Sequence, residues 1–148
     1  MNWKQLLADR LIQRHTASND ELYDIREVVK RDLRDAALPG LSADRRFATA
    51  YNAVLQLARL AIACAGYRVS LGPAHHRTTF DAVKLALGKG STPLIAYFDT
   101  CRRKRNIIDY DQAEVATETE AAELLKKAKE FRGAVEAWVR DNHPGYRS

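Results

Sequence analysis

The recurrence of apolar residues at intervals of three and four is the feature that most narrows what this chain can fold into. Phe47, Tyr51, Val54, Ala58, Ala61 and Ala65 keep that spacing, as do Ala121, Leu124, Ala128, Phe131, Val135 and Trp138. A backbone turning once every 3.6 residues or so, about 100° per residue, brings such residues to one face, whereas a half-buried strand needs alternation at every second residue. No segment sustains that alternation with β-branched residues, so an all-α chain without a sheet is expected.

Glycine and proline mark where the periodic segments stop. Pro39 and Gly40, Gly66, Gly72 and Pro73, Gly88 and Gly90, Pro93, and Pro144 and Gly145 fall at boundaries; Gly133 lies inside a segment. Helices are expected over Trp3 to Arg14, Asp20 to Leu38, Ala43 to Tyr67, His76 to Leu87, Pro93 to Asp109 and Glu118 to Asp141. Ser18 with Glu21 and Thr117 with Glu120 match capping boxes, in which hydroxyl and carboxylate satisfy backbone N–H groups that the first turn leaves free. Ser42 is placed to cap the third helix, and Thr92 the fifth, with Pro93 at its first position. The third and sixth helices are the longest. With the second and fifth they give an up-and-down four-helix bundle with one or two additional short helices. The 148 residues, 46% of them hydrophobic, suit one such core and a single domain over 1–148.

Charge and cysteine content limit the setting. Lys and Arg number 24 against 19 acids, a net +5 that admits an anionic partner such as RNA or a nucleotide. The opening stretch carries Lys4, Asp9 and Arg10 within a short amphipathic pattern unlike a signal peptide, and the apolar stretch LQLARLAIACAG holds Arg59 and is too short for a bilayer. A cytoplasmic protein without a membrane span is therefore expected. Cys64 and Cys101 both sit within apolar helical patterns, as reduced core thiols do.

The fifth helix, LIAYFDTCRRKRNIIDYD, carries the most chemistry. Leu94, Phe98, Cys101 and Arg105 share one stripe, so a guanidinium lies on an otherwise apolar face, while Arg103 and Lys104 point to water. A charge taken out of water costs several kcal/mol, on the order of magnitude of the whole fold's stability, unless it finds a partner. Arg105 thus marks a cleft, a bundle end or a subunit interface. Two outcomes stay open from the residues alone. Asp109, four positions on, and Glu114, Glu118, Glu120 and Glu123 can neutralise the cluster; otherwise the cluster meets an external anion. GKGST at Gly88 to Thr92 offers backbone N–H groups before a helix, but it lacks P-loop spacing and a preceding strand, and a simple turn suffices. His75 and His76 project in different directions from a helix and no Glu-x-x-His motif occurs, so neither a metal nor a cofactor is expected; the two more simply begin the fourth helix or hydrogen-bond across the bundle. No helix-turn-helix recognition helix stands out.

The run RRKRNIIDYD on the penultimate helix, with AYNAVLQLARLAIACAGYRVSLGPAHHRTTFDAVKLAL upstream, resembles the HEPN superfamily over approximately Arg45 to Val139, within a core of about 42–140. That family carries an Arg followed four to six residues later by His; here the matching position is Tyr110. The resemblance implies a bundle that forms a homodimer with its motif helices face to face, and RNA or nucleotide binding or metal-independent RNA cleavage. It also implies pairing with a nucleotidyltransferase in a toxin–antitoxin module. It assigns Arg105 and Tyr110 the catalytic positions, Arg102, Arg103 and Lys104 the phosphate contacts and Asn106 a hydrogen bond. Tyr110 is a poor base, since a phenol of ordinary pKa is about 0.1% ionised at neutral pH, but it suits proton donation or phosphate positioning. Five steps turn it about 140° from Arg105, so the two meet only if the helix ends or bends between them or a second subunit intervenes. The alternative is a catalytically inactive helical module that binds or is controlled by a nucleotidyltransferase.

Overall fold

The computed structural model describes residues 1–109 and 113–148. The chain is predominantly α-helical, with helices α1 (Trp3–Ala8), α2 (Asn19–Asp35), α3 (Ala43–Cys64), α4 (His75–Leu87), α5 (Thr92–Asp109) and α6 (Glu118–Asn142). Short 3-10 turns cover Lys89–Ser91 and Pro144–Tyr146, and two strands, β1 (Ile12–Arg14) and β2 (Tyr67–Val69), complete it.

Caps explain most helix starts. Ser18, Ser42 and Thr117 each take extended backbone angles and accept a hydrogen bond from the N–H three residues on. Glu120 returns the favour by accepting from the Thr117 N–H at 2.9 Å, which closes the capping box. Asn2 and Gln5 form another at α1. Thr92 departs from expectation. It is itself helical, because the 3-10 turn at Lys89–Ser91 runs directly into α5 and leaves no extended residue to serve as cap.

The first helix and the absence of a sheet are corrected. Arg10 adopts a φ of 58°, the left-handed region, and this ends α1 one turn and a half after it begins. The chain then runs as β1, antiparallel to β2, with Ile12 opposite Val69, Gln13 opposite Arg68 and Arg14 opposite Tyr67. Gly66, at φ 99°, supplies the matching reversal at the end of α3. Ile12 is buried, Trp3 stacks on Tyr67 with centroids 4.4 Å apart, and the ribbon thereby closes one side of the helical core.

α3 is the central element, packed against α2, α4, α5 and α6. Its length and hydropathy would allow a membrane crossing, but two thirds of the relevant window, 67%, is buried by those neighbours. The core runs from Leu22, Ile25 and Val29 of α2 through Tyr51, Leu57 and Leu60 of α3 to Phe98 of α5 and Leu124 and Phe131 of α6. Cys64 and Cys101 are buried and unpaired within it, as expected. Polar ties fix the perimeter. Asp32, buried on α2, accepts from Asn52 of α3 at 2.6 Å, and Asp44 accepts from the Ala116 N–H at 2.7 Å, anchoring the segment that leads into α6.

Candidate functional site

The helical stripe of α5 places Arg105 one turn beyond buried Cys101 and two beyond buried Phe98 and turns it toward α3. Its guanidinium carbon lies 5.8 Å from the centroid of the Tyr51 ring, whose side chain is fully buried. The Tyr51 hydroxyl lies 3.4 Å from Nδ1 of His76 on α4, and Phe80 meets the tyrosine ring edge-on. Three helices therefore build one wall: an arginine over a tyrosine, with a histidine beside it.

Two pKa shifts describe this wall. Burial, outweighing the nearby positive charges of Arg105 and Arg102, drives the Tyr51 phenol well above its usual range, so it stays protonated and donates. His76 is pushed down to about 4, first by burial and then by His75, Arg105 and Arg102, so it is neutral at pH 7. Neither carries charge beside Arg105 under ordinary conditions.

In front of the wall opens a cleft of about 870 Å³, bounded by α3, α4 and the β1–β2 ribbon and reached by Arg105. Three arginines line it, Arg59 of α3, Arg68 of β2 and Arg105 of α5. Glu21 is the one carboxylate in that lining among the described residues, and Nε2 of His15 holds it at 2.7 Å. Arg68 is oriented by Gln13 across the ribbon, with Nε and Nη2 donating to Oε1 at 2.9 and 2.7 Å. Leu55, Ile62 and Leu71 supply apolar lining between the charges. The cleft thus offers positive charge beside apolar surface, the combination that a phosphate attached to a flat organic ring requires.

The donor inventory sharpens this. Nη1 of Arg105 donates to Asp109, an i,i+4 partner that is half-exposed, while Nε of the same guanidinium is buried with no partner among the described residues. Ser70 Oγ is buried and unpartnered in the same sense, and Ser70 also lines the cleft. Both residues line the cleft, while the orphaned atoms themselves are buried behind its surface. Buried polar atoms without partners are rare and costly, roughly 1–3 kcal/mol each.

The rest of the predicted basic cluster lies away from the cleft. Arg102 donates to Asp99 at 3.0 Å. Lys104 does not point to water as expected: its ammonium donates to Glu120 of α6, because the capping carboxylate at the start of that helix lies within its reach. Arg103 and Asn106 are exposed on the outer face of α5. Tyr110 lies outside the described residues, so its approach to Arg105 is not among the observed geometry. Glu118, one of the acids expected to neutralise the cluster, instead pairs with Arg46 of α3.

His75 and His76 do begin α4 and both line the cleft; His76 reaches across to Tyr51 of α3, while His75 bonds to the Gly72 carbonyl of the preceding turn. Arg59, Arg68 and Ser70 were not anticipated as site residues. Arg59 left a trace in the sequence, a lone charge in an apolar stretch; Arg68 and Ser70 left none, because the ribbon that carries them was not anticipated. Among the described residues no three His, Cys, Asp or Glu side chains converge as a metal-binding set. No family model, curated protein or solved structure matches the chain.

Proposed function

We propose that this chain is a HEPN-like protein that binds RNA, or a nucleotide as the smaller version of the same ligand, with a phosphate seated against Arg105. The single observation that carries the proposal is the half-committed guanidinium of Arg105 at the edge of a cleft with two further arginines and one already engaged carboxylate. A fork-shaped, permanently charged donor with free N–H groups is what a phosphodiester oxygen accepts from. Arg59 and Arg68 extend the phosphate path, and Arg102, Arg103, Lys104 and Asn106 contact the strand as it leaves along α5. The packing of α2, α5 and α6 about α3 supports the up-and-down four-helix bundle of this reading. The protein acts as a homodimer with its α5 helices opposed, as a metal-independent endoribonuclease whose Tyr110 donates a proton or positions phosphate, restrained by a nucleotidyltransferase partner of a toxin–antitoxin module.

A second reading has its own support. Arg102, Lys104 and Arg105 each hold an acid of the same chain, Asp99, Glu120 and Asp109. A helical module whose cluster is neutralised in this way would serve as an inactive binding partner of a nucleotidyltransferase.

A salt series of single-stranded RNA binding separates the two. With the phosphate seated on Arg105, Arg105→Ala lowers affinity about tenfold and reduces the salt slope by about one counterion. Equal, weak affinity of wild type and variant at every salt concentration would leave the neutralised module as the surviving reading. Where cleavage is seen, Tyr110→Phe slows it; undiminished activity in that variant would remove the hydroxyl from the mechanism.

A further inference from the structure

We infer that His75, the first residue of α4, is the general base of RNA cleavage in this cleft, whose lining it shares with Arg105. The inference rests on the cleft binding RNA as proposed above. Metal-independent cleavage needs a group to take the proton of a ribose 2′-hydroxyl and a cation to meet the charge gathering on phosphorus. Arg105 meets the second need, and an imidazole is the side chain that exchanges a proton around neutral pH.

The geometry selects between the two histidines. Nδ1 of His75 lies 2.9 Å from the Gly72 carbonyl, which accepts and has no proton to give. In the neutral ring Nδ1 therefore carries the hydrogen, and Nε2 keeps its lone pair free. The same carbonyl steadies the ring when a second proton arrives at Nε2. His75 is exposed at the cleft, where substrate can reach that nitrogen. His76 is placed otherwise: half-buried, with Nδ1 on the Tyr51 hydroxyl, it packs edge-on against His75 with ring centroids 4.2 Å apart and holds the outer ring in position. Its depressed pKa keeps it neutral through the working range.

Among the described residues the other bases at the cleft are engaged, His15 and Glu21 with one another, and Tyr51 is a phenol that burial holds protonated. The charged and titratable groups around this wall are Tyr51 on α3 and Arg102, Arg105 and Asp99 on α5, and the charges that act on His76 are positive. In the step itself the 2′-oxygen bonds to the adjacent phosphorus as its proton passes to Nε2 of His75. The phosphorus–5′-oxygen bond breaks with its electron pair, and the leaving 5′-oxygen takes a proton from water in the open cleft. The products are a 2′,3′-cyclic phosphate and a 5′-hydroxyl end, and His75 returns its proton to solvent.

The test compares wild type and His75→Asn on a labelled single-stranded RNA, in chelator, from about pH 5 to about pH 9, with affinity measured alongside cleavage. Asparagine places an amide N–H near the position of Nδ1, so the Gly72 bond is kept while Nε2 is lost. The variant is expected to bind within about twofold of wild type, to cleave at least about 100-fold more slowly, and to lose the ascending limb of the pH–rate profile. Wild-type cleavage by the variant, or a wild type that binds RNA and leaves it intact, overturns the base while the binding reading stands. A wild type that does not bind RNA overturns both.

Discussion

Arg26 and Arg105 are two arginines of nearly equal exposure, 17% and 23% of the side chain, with opposite uses. Nε and Nη2 of Arg26 grip Glu136 of α6 at 2.9 and 3.0 Å, and Nη2 also donates to the Tyr146 carbonyl at 2.6 Å, so one guanidinium ties α2, α6 and the C-terminal turn together. Arg105 commits one nitrogen to a half-exposed carboxylate one helical turn away and leaves a buried N–H without a partner among the described residues, on a residue that lines a cleft. Burial alone does not distinguish a structural arginine from one built to meet a ligand. What separates the two is the Nε–H, paired with Glu136 in Arg26 and buried without a partner among the described residues in Arg105.

This contrast can be broken by mutation, and the largest effect is expected at Arg26. Arg26→Ala strands the Glu136 carboxylate, itself 17% exposed, and should cost about 3 kcal/mol of stability, seen as a lower urea midpoint at unchanged slope, with RNA affinity of the folded protein intact. Arg105→Ala should invert the pattern. Affinity for RNA falls about tenfold, while stability falls by no more than about 1 kcal/mol, because the lost contacts are an i,i+4 ion pair with a half-exposed carboxylate and a cation–π contact to Tyr51.

Acid should sharpen the comparison next, since it acts on His76 in the wall beneath Arg105. The pKa of His76 falls from 6.5 to about 4 on folding, so between those values the unfolded chain binds more protons than the folded one. Its contribution is complete above about pH 6.5 and is lost as pH falls through the folded value of about 4. Urea midpoints at pH 7 and pH 5 should therefore differ more in wild type than in His76→Gln. The smallest effect belongs to Asp109→Asn, which frees Nη1 of Arg105; RNA affinity should rise about twofold with stability nearly unchanged.

The two arginines also differ in how far the sequence revealed them. The place of Arg105 on an apolar stripe and its pairing with Asp109 follow from helical spacing, which is local and periodic. The engagement of Arg26 by a carboxylate 110 positions away has no local signature. The same division runs through the fold. Helices α2 through α6 and the Ser18, Ser42 and Thr117 caps were legible because period and capping chemistry are written within a few residues. The ribbon was not: three-residue strands are too short for alternation to show, and Arg10 turns the chain in a left-handed conformation without the glycine that would announce it. Missing the ribbon meant missing the cleft wall that carries Arg68 and Ser70, and with it the side of the site that α5 alone could not suggest.

The open valence of Arg105 can be observed without relying on activity. In a spectrum that resolves arginine Nε–H groups, single-stranded RNA is added stepwise and the Arg105 and Arg26 resonances are followed, each assigned by its alanine variant. The Arg105 signal should shift and saturate with the ligand while that of Arg26 stays fixed. An Arg105 signal unmoved at RNA concentrations that saturate binding elsewhere would contradict the account, whatever the affinity.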